Sequence, residues 1–140
     1  KQIQGCCSLD SYKNGKVSFP RMKSRLLYIF LIFFALCRLD RYSVFAEAVT
    51  ESEAPDYYDI VKNPIDMAAM KSKVDKNQYG DGSEGAANLY DDFLLMFENC
   101  RLYNDDDGEV IDEAARLFAL VPETYAQACN TILKKQKRGA

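Results

Sequence analysis

Asn104 puts a carboxamide at the end of an apolar helical stripe. Leu89, Phe93, Met96, Phe97, Cys100 and Tyr103 recur at the i, i+4, i+7, i+8, i+11, i+14 spacing of one buried helix face. Asn104 follows Phe97 by seven residues and Cys100 by four, so it falls on the same inward face. Asp105-Asp106-Asp107-Gly108 comes next and is turn chemistry, so the helix stops at Asn104. A carboxamide on the buried side of a helix end needs hydrogen-bond partners. It either finds them within the protein or faces a cavity that a ligand fills. Its donor and acceptor together are the complement of an amide.

Other chemistries are poorly supplied. The chain has no histidine, which removes the commonest general base and the commonest metal ligand. No nucleophile–base pair and no phosphate loop stands out, so an enzyme is not expected. The five cysteines are odd in number and form no Cys-x-x-Cys, which fits free thiols in a reducing compartment better than a disulfide framework. Cys6-Cys7, with no histidine near, is read as incidental rather than as a metal or redox pair. Asp105-Asp106-Asp107 lacks the alternation and closing Glu of a calcium loop. No cofactor and no metal is expected.

An apolar fraction of 48% over 140 residues predicts one globular domain with a real core. A net charge of −3 argues against a nucleic-acid surface, which relies on Lys and Arg neutralising phosphate. The basic stretch Lys134-Lys135-Gln136-Lys137-Arg138 is read as a solvated helix end. Leu26 to Cys37 is an apolar run of twelve residues, short of the roughly 20 that span a bilayer. It lacks a well-formed signal-peptide n-region and cleavage site, so no membrane association is expected. The chain opens on Lys1 and is read as a piece of something longer.

The elements that must position Asn104 are helical throughout. Residues 1–20 carry no sustained periodicity and are read as a loosely ordered extension; 21–138 form the domain. A first helix is predicted from about Met22 to Asp40, then a long connection from Arg41 to Ile65 with one helical turn inside Asp56 to Val61. Connections of that length tend to be functional. Asp66 is predicted to cap a second helix that buries Met67, Met70 and Val74 and ends near Asn77. Ser83 or Glu84 opens the third helix, and Glu109 the fourth, which Pro122 should kink. The fold class is all-α: a four-helix antiparallel bundle with a long loop between helices one and two.

That order of elements carries specific residues: Phe45 with Val49, then Ala54-Pro55-Asp56-Tyr57-Tyr58, then Lys62-Asn63-Pro64-Ile65-Asp66-Met67, then the run from Phe93 to Asn104. In this the chain resembles the bromodomain family of acetyl-lysine reader modules, over about residues 22–136. The resemblance implies a left-handed bundle and a non-catalytic module that binds acetylated lysine on histone tails or other nuclear proteins, in the nucleus, in chromatin and transcription regulation, within a larger chain or complex. It implies that Asn104, its carboxamide left unsatisfied by the protein itself, bonds the acetyl carbonyl and that Tyr57 reaches the same oxygen through an ordered water. Phe45 and Val49 would floor the methyl group, Ala54 line the stem channel, Tyr103 stand beside Asn104, and Val110 gate the mouth. Asn99 would tie its helix to the long loop.

The family often begins this loop with Trp-Pro-Phe. Here Ser43-Val44-Phe45 stands instead, the protein has no Trp, and Ala48 replaces a frequent Pro. The expected result is a wider, less apolar mouth that lacks an aromatic shelf on one side. A degenerate scaffold without acetyl-lysine selectivity is the alternative. Glu47, Glu51, Glu53, Asp56, Asp59, Asp105, Asp106, Asp107 and Glu109 are expected on the rim, where they either attract basic peptides or are simply solvated. No carboxylate is expected deep inside.

Overall fold

The computed structural model describes residues 24–104 and 108–138. The expected extension over 1–20, the start of the first helix at Met22 and the Asp105–Asp107 turn lie outside the described residues. Within them the chain forms α1 (Ser24–Cys37), α2 (Tyr57–Ile60), α3 (Met67–Asp75), α4 (Gly82–Tyr103) and α5 (Glu109–Arg138). The four longer helices make a left-handed antiparallel bundle, and α2 is one turn inside the long loop. No helix among the described residues is long and apolar enough to cross a membrane.

The apolar run that opens the domain becomes the centre of the bundle. In α1, Ile32 and Phe33 are fully buried, and Phe30 and Leu36 almost so. Phe33 lies 6.4 Å, ring to ring, from Phe93 of α4, and Leu117 of α5 joins the same cluster. Burying each such side chain contributes about 1.5–3 kcal/mol. A helix this apolar therefore needs neighbours on several sides, and α3, α4 and α5 all pack on α1. Met67, Met70 and Val74 of α3 are buried as their spacing predicts.

Two helix ends are informative. The first helix stops at Cys37, not Asp40. Asp40 is fully buried and spends its carboxylate on the chain ahead: Oδ1 accepts from Val44 N and Oδ2 from Phe45 N, both at 2.9 Å. An Asp that binds downstream backbone N–H groups ends a helix rather than extending it. The second helix ends at Asp75, and Asn77 follows in the left-handed region at φ 54°, the conformation in which Asn tolerably closes a helix. Pro122 lies within α5, which continues across it to Arg138.

The start of α4 is held against both the preceding turn and α1. Tyr79 is buried, its hydroxyl donating to Asp92 Oδ2 at 2.6 Å, while Lys73 Nζ reaches the same oxygen at 2.7 Å. Gly85 is the close-approach point, since a Cβ there would sit 2.3 Å from the Gly80 carbonyl oxygen and 3.0 Å from Ile29 Cδ1. Gly85→Ala should therefore destabilise. Alanine gains about 1 kcal/mol of helix propensity, but forcing backbone apart costs about 1–3 kcal/mol, so a lower melting temperature is expected by calorimetry. A variant that melts higher would show that the turn yields freely.

Candidate functional site

The long loop is fixed to the bundle at both ends. At its start, Asp40 holds Phe45 as described. Phe45 O and Ala46 O then accept from Met67 N at 2.9 Å and Ala68 N at 3.0 Å. These are first-turn amides of α3, which have no partner within their own helix. Asp66 caps the same helix end as predicted, its Oδ1 accepting from Ala69 N at 2.9 Å. At the far end, Asn99 of α4 donates from Nδ2 to Asn63 O at 2.8 Å. That bond ties helix to loop, as expected of Asn99.

Between these points the aromatic residues interlock. Phe45 meets Phe97 edge-on with ring centroids 5.4 Å apart. Tyr57, on α2, stands between Tyr58 at 5.2 Å and Tyr103 at 5.0 Å, both T-shaped. Tyr58 donates its hydroxyl to Val49 O at 2.6 Å, which draws the Val49 segment over α2. Tyr103 donates to Asp56 Oδ1 at 2.8 Å. That bond, to an acid that was expected on the rim, raises the Tyr103 hydroxyl above its ordinary pKa. Burial, then Tyr58 beside it, does the same for Tyr57, so both hydroxyls are neutral in the physiological range.

Asn104 caps α4, directly after its last residue, Tyr103. Its carboxamide is not left unpaired by the protein, and here the sequence reading needs correction. Cys100 O accepts both Asn104 N, at 3.0 Å, and Asn104 Nδ2, at 2.9 Å. The final carbonyls of a helix have no amide from a following turn, and a side chain four residues on can reach back to them. One N–H of the carboxamide is thus spent within the chain. Nδ2 also donates, at 3.6 Å, to Cys100 Sγ, a weak acceptor. Burial pushes the Cys100 thiol up in pKa, only partly offset by that contact with Asn104, so it stays a neutral wall.

All seven sequence-predicted residues, Asn104, Tyr57, Phe45, Val49, Ala54, Tyr103 and Val110, line one cavity of about 780 Å³. Phe45, Ala54 and Tyr57 are buried, while Val110, on the first turn of α5, is exposed at the edge. Other lining residues went unnamed as site residues. Met96 and Cys100 precede Asn104 by eight and four positions on the same stripe, a signal the sequence contained. Ile65 and Asp66 follow Asn63-Pro64 directly. Asp66 also corrects the expectation that no carboxylate lies inside: a half-buried one does, engaged at the α3 N-terminus.

Tyr42, Ser43 and Val44, at the loop start that lacks the Trp, line the cavity as well. Of the anticipated rim acids, Glu47 and Glu53 line the cavity. Glu51, Asp56, Asp59 and Glu109 are exposed nearby in sequence, and Asp105–Asp107 fall outside the described residues. Glu53 accepts from Thr50 N at 3.0 Å, which shapes its own turn. Among the described residues no three metal-ligating side chains converge.

Comparison with known proteins bears on the family and the fold. The bromodomain family model matches residues 32–116. A bromodomain-containing protein homolog of Drosophila melanogaster is 34% identical over 122 residues, covering 76% of this chain but only 8% of that protein's length. The structure of the bromodomain from human BAZ1A superposes with a TM-score of 0.62 at 30% identity, over 70% of this chain and 91% of that one. The second bromodomain of Candida albicans Bdf1, solved bound to an imidazopyridine, gives 0.62 at 26% identity over 74% and 98%. The chain belongs to the bromodomain family, whose members are in general non-catalytic acetyl-lysine readers associated with chromatin.

Proposed function

We propose that the cavity binds the side chain of an acetylated lysine on a histone tail or another nuclear protein, with Asn104 as the donor to the acetyl carbonyl. The observation that carries this reading is the position of Asn104: a carboxamide with one N–H already fixed to Cys100 O, on the wall of an aromatic-lined cavity. Phe45 and Val49 take the methyl group, Ala54 and Tyr103 flank the stem, and Val110 borders the mouth. Tyr57, neutral and lining the same space, holds a water under the carbonyl in this reading.

Acetylation acts as the switch because it removes a charge. An unmodified ammonium would be buried beside the donor face of Asn104, and an unpaired buried charge costs several kcal/mol. Asp66 does not relieve that cost freely, since its carboxylate is engaged with Ala69 N. The acidic rim favours basic peptides at long range, an attraction that weakens with salt.

One pocket over a short peptide gives micromolar or weaker affinity, so recognition in the nucleus draws on neighbouring modules. The chain spans a small fraction of the curated relative it matches, which leaves room for them. Isothermal titration with one peptide, acetylated and unmodified, tests the reading. The acetylated form should bind about tenfold or more tightly than the other. Equal binding of the two would instead favour a scaffold that has lost acetyl-lysine selectivity.

A further inference from the structure

We infer that the groove between α4 and α5 is a self-association surface, covered by a second copy of this chain related by a twofold axis. The groove shares no lining residue with the cavity around Asn104. Leu94, Phe97, Glu98 and Arg101 of α4 line one side of a space of about 330 Å³, and Ile111, Ala114, Ala115 and Phe118 of α5 line the other. Each set has the i, i+3, i+4, i+7 spacing of a single helix face. Apart from Glu98 and Arg101 the lining is apolar, and Phe118 is 48% exposed although its ring meets Phe97 edge-on at 5.7 Å. Leu102, next to Arg101, is exposed as well. Apolar side chains open along two neighbouring helices suit a partner that is itself helical.

The two charged residues choose which partner. Glu98 and Arg101 are both exposed, and among the described residues neither takes part in an ion pair. Opposite charges about one turn apart make the face complementary to its own copy turned through a half-rotation. Arg101 of each copy then falls opposite Glu98 of the other. A face of one sign would repel its copy instead, and the net charge of −3 adds only weak repulsion.

Packing fits the same axis. α4 and α5 run antiparallel, and the contact of Phe97 with Phe118 sets their register. About one turn beyond Phe97 along α4 is the level of Glu98 and Arg101. About one turn before Phe118 along α5, at the same level, stand Ala114 and Ala115. A twofold axis through that level pairs the charges and also lays the Phe118 ring of each copy over the two alanines of the other. The small side chains leave the room that the ring needs. Two turns on each of two helices make a small interface, so the dimer should be weak, with a dissociation constant on the order of 100 µM.

The test is sedimentation equilibrium of the whole chain from about 10 µM to about 1 mM, with circular dichroism of every variant to confirm its fold. Wild type should pass from monomer to dimer across that range. Ala115→Glu, at an exposed position, should hold the chain monomeric. Glu98→Arg alone and Arg101→Glu alone should each weaken the dimer by about fivefold or more, because like charges then face each other twice. Mixing those two variants, or joining both changes in one chain, should restore it. A monomer throughout overturns the proposal, as does a dimer indifferent to Ala115→Glu and to the charge exchanges. Failure of the mixture to recover overturns the twofold arrangement. If the chain stays monomeric, a carbodiimide cross-link within one chain from Lys13 or Lys16 to Glu98 would assign the groove to residues 1–23 instead.

Discussion

Asn104→Ala is expected to lose acetylated-peptide binding by about tenfold to a hundredfold while the bundle stays folded. Under the proposed reading, the variant removes the side-chain donor to the acetyl carbonyl. A hydrogen bond contributes only about 0.5–1.5 kcal/mol net, but an acceptor buried with no donor costs about 1–3 kcal/mol, and that penalty sets the range. The fold should tolerate the change, since Asn104 N keeps its own bond to Cys100 O and only the Nδ2 bonds to Cys100 O and Sγ are lost. Titration calorimetry reads the first effect and far-ultraviolet circular dichroism the second. Undiminished affinity would mean that another group meets the ligand.

Asp40→Ala should damage stability and binding together. Asp40 is fully buried and accepts from Val44 N and Phe45 N, the latter in a buried setting. Alanine leaves those amides unpaired at about 2–4 kcal/mol in all, a loss of melting temperature on the order of 10 °C for a domain of this size. Phe45 would also lose one of its two anchors, so the cavity floor would loosen and affinity fall even where the protein remains folded. Asp40→Asn, which keeps one acceptor, should lie between. Thermal melts and titrations of the same two variants separate this residue from Asn104, which should affect binding alone. An Asp40→Ala protein as stable as wild type would show that the loop closes without the carboxylate.

Much of the bundle was legible because periodicity reports burial directly. The stripe from Leu89 to Tyr103, the Asp66 cap and the single turn near Tyr57 each rest on local spacing or local chemistry, and each stands where it was expected. What escaped notice depends on contacts between distant parts of the chain. Asp40 read as a helix residue because nothing nearby in sequence announces that its carboxylate turns toward Val44 and Phe45. The contact of Arg41 with Glu113 went unremarked because the two lie 72 residues apart and no pattern links them. The half-paired state of Asn104 was missed for a simpler reason: the acceptor is the helix's own backbone, which a side-chain pattern does not display.

The loop's fastenings carry a consequence for how such a module changes over generations. Asp40, the Phe45 and Ala46 carbonyls and Asn99 attach residues 40–63 to the helices, and the stretches between them bear little of the bundle's weight. Under the proposed reading, substitutions at 42, 44 and 47–53 would alter which modified tail is favoured while the inherited framework persists. A lineage built this way diversifies its reading without having to learn to fold again.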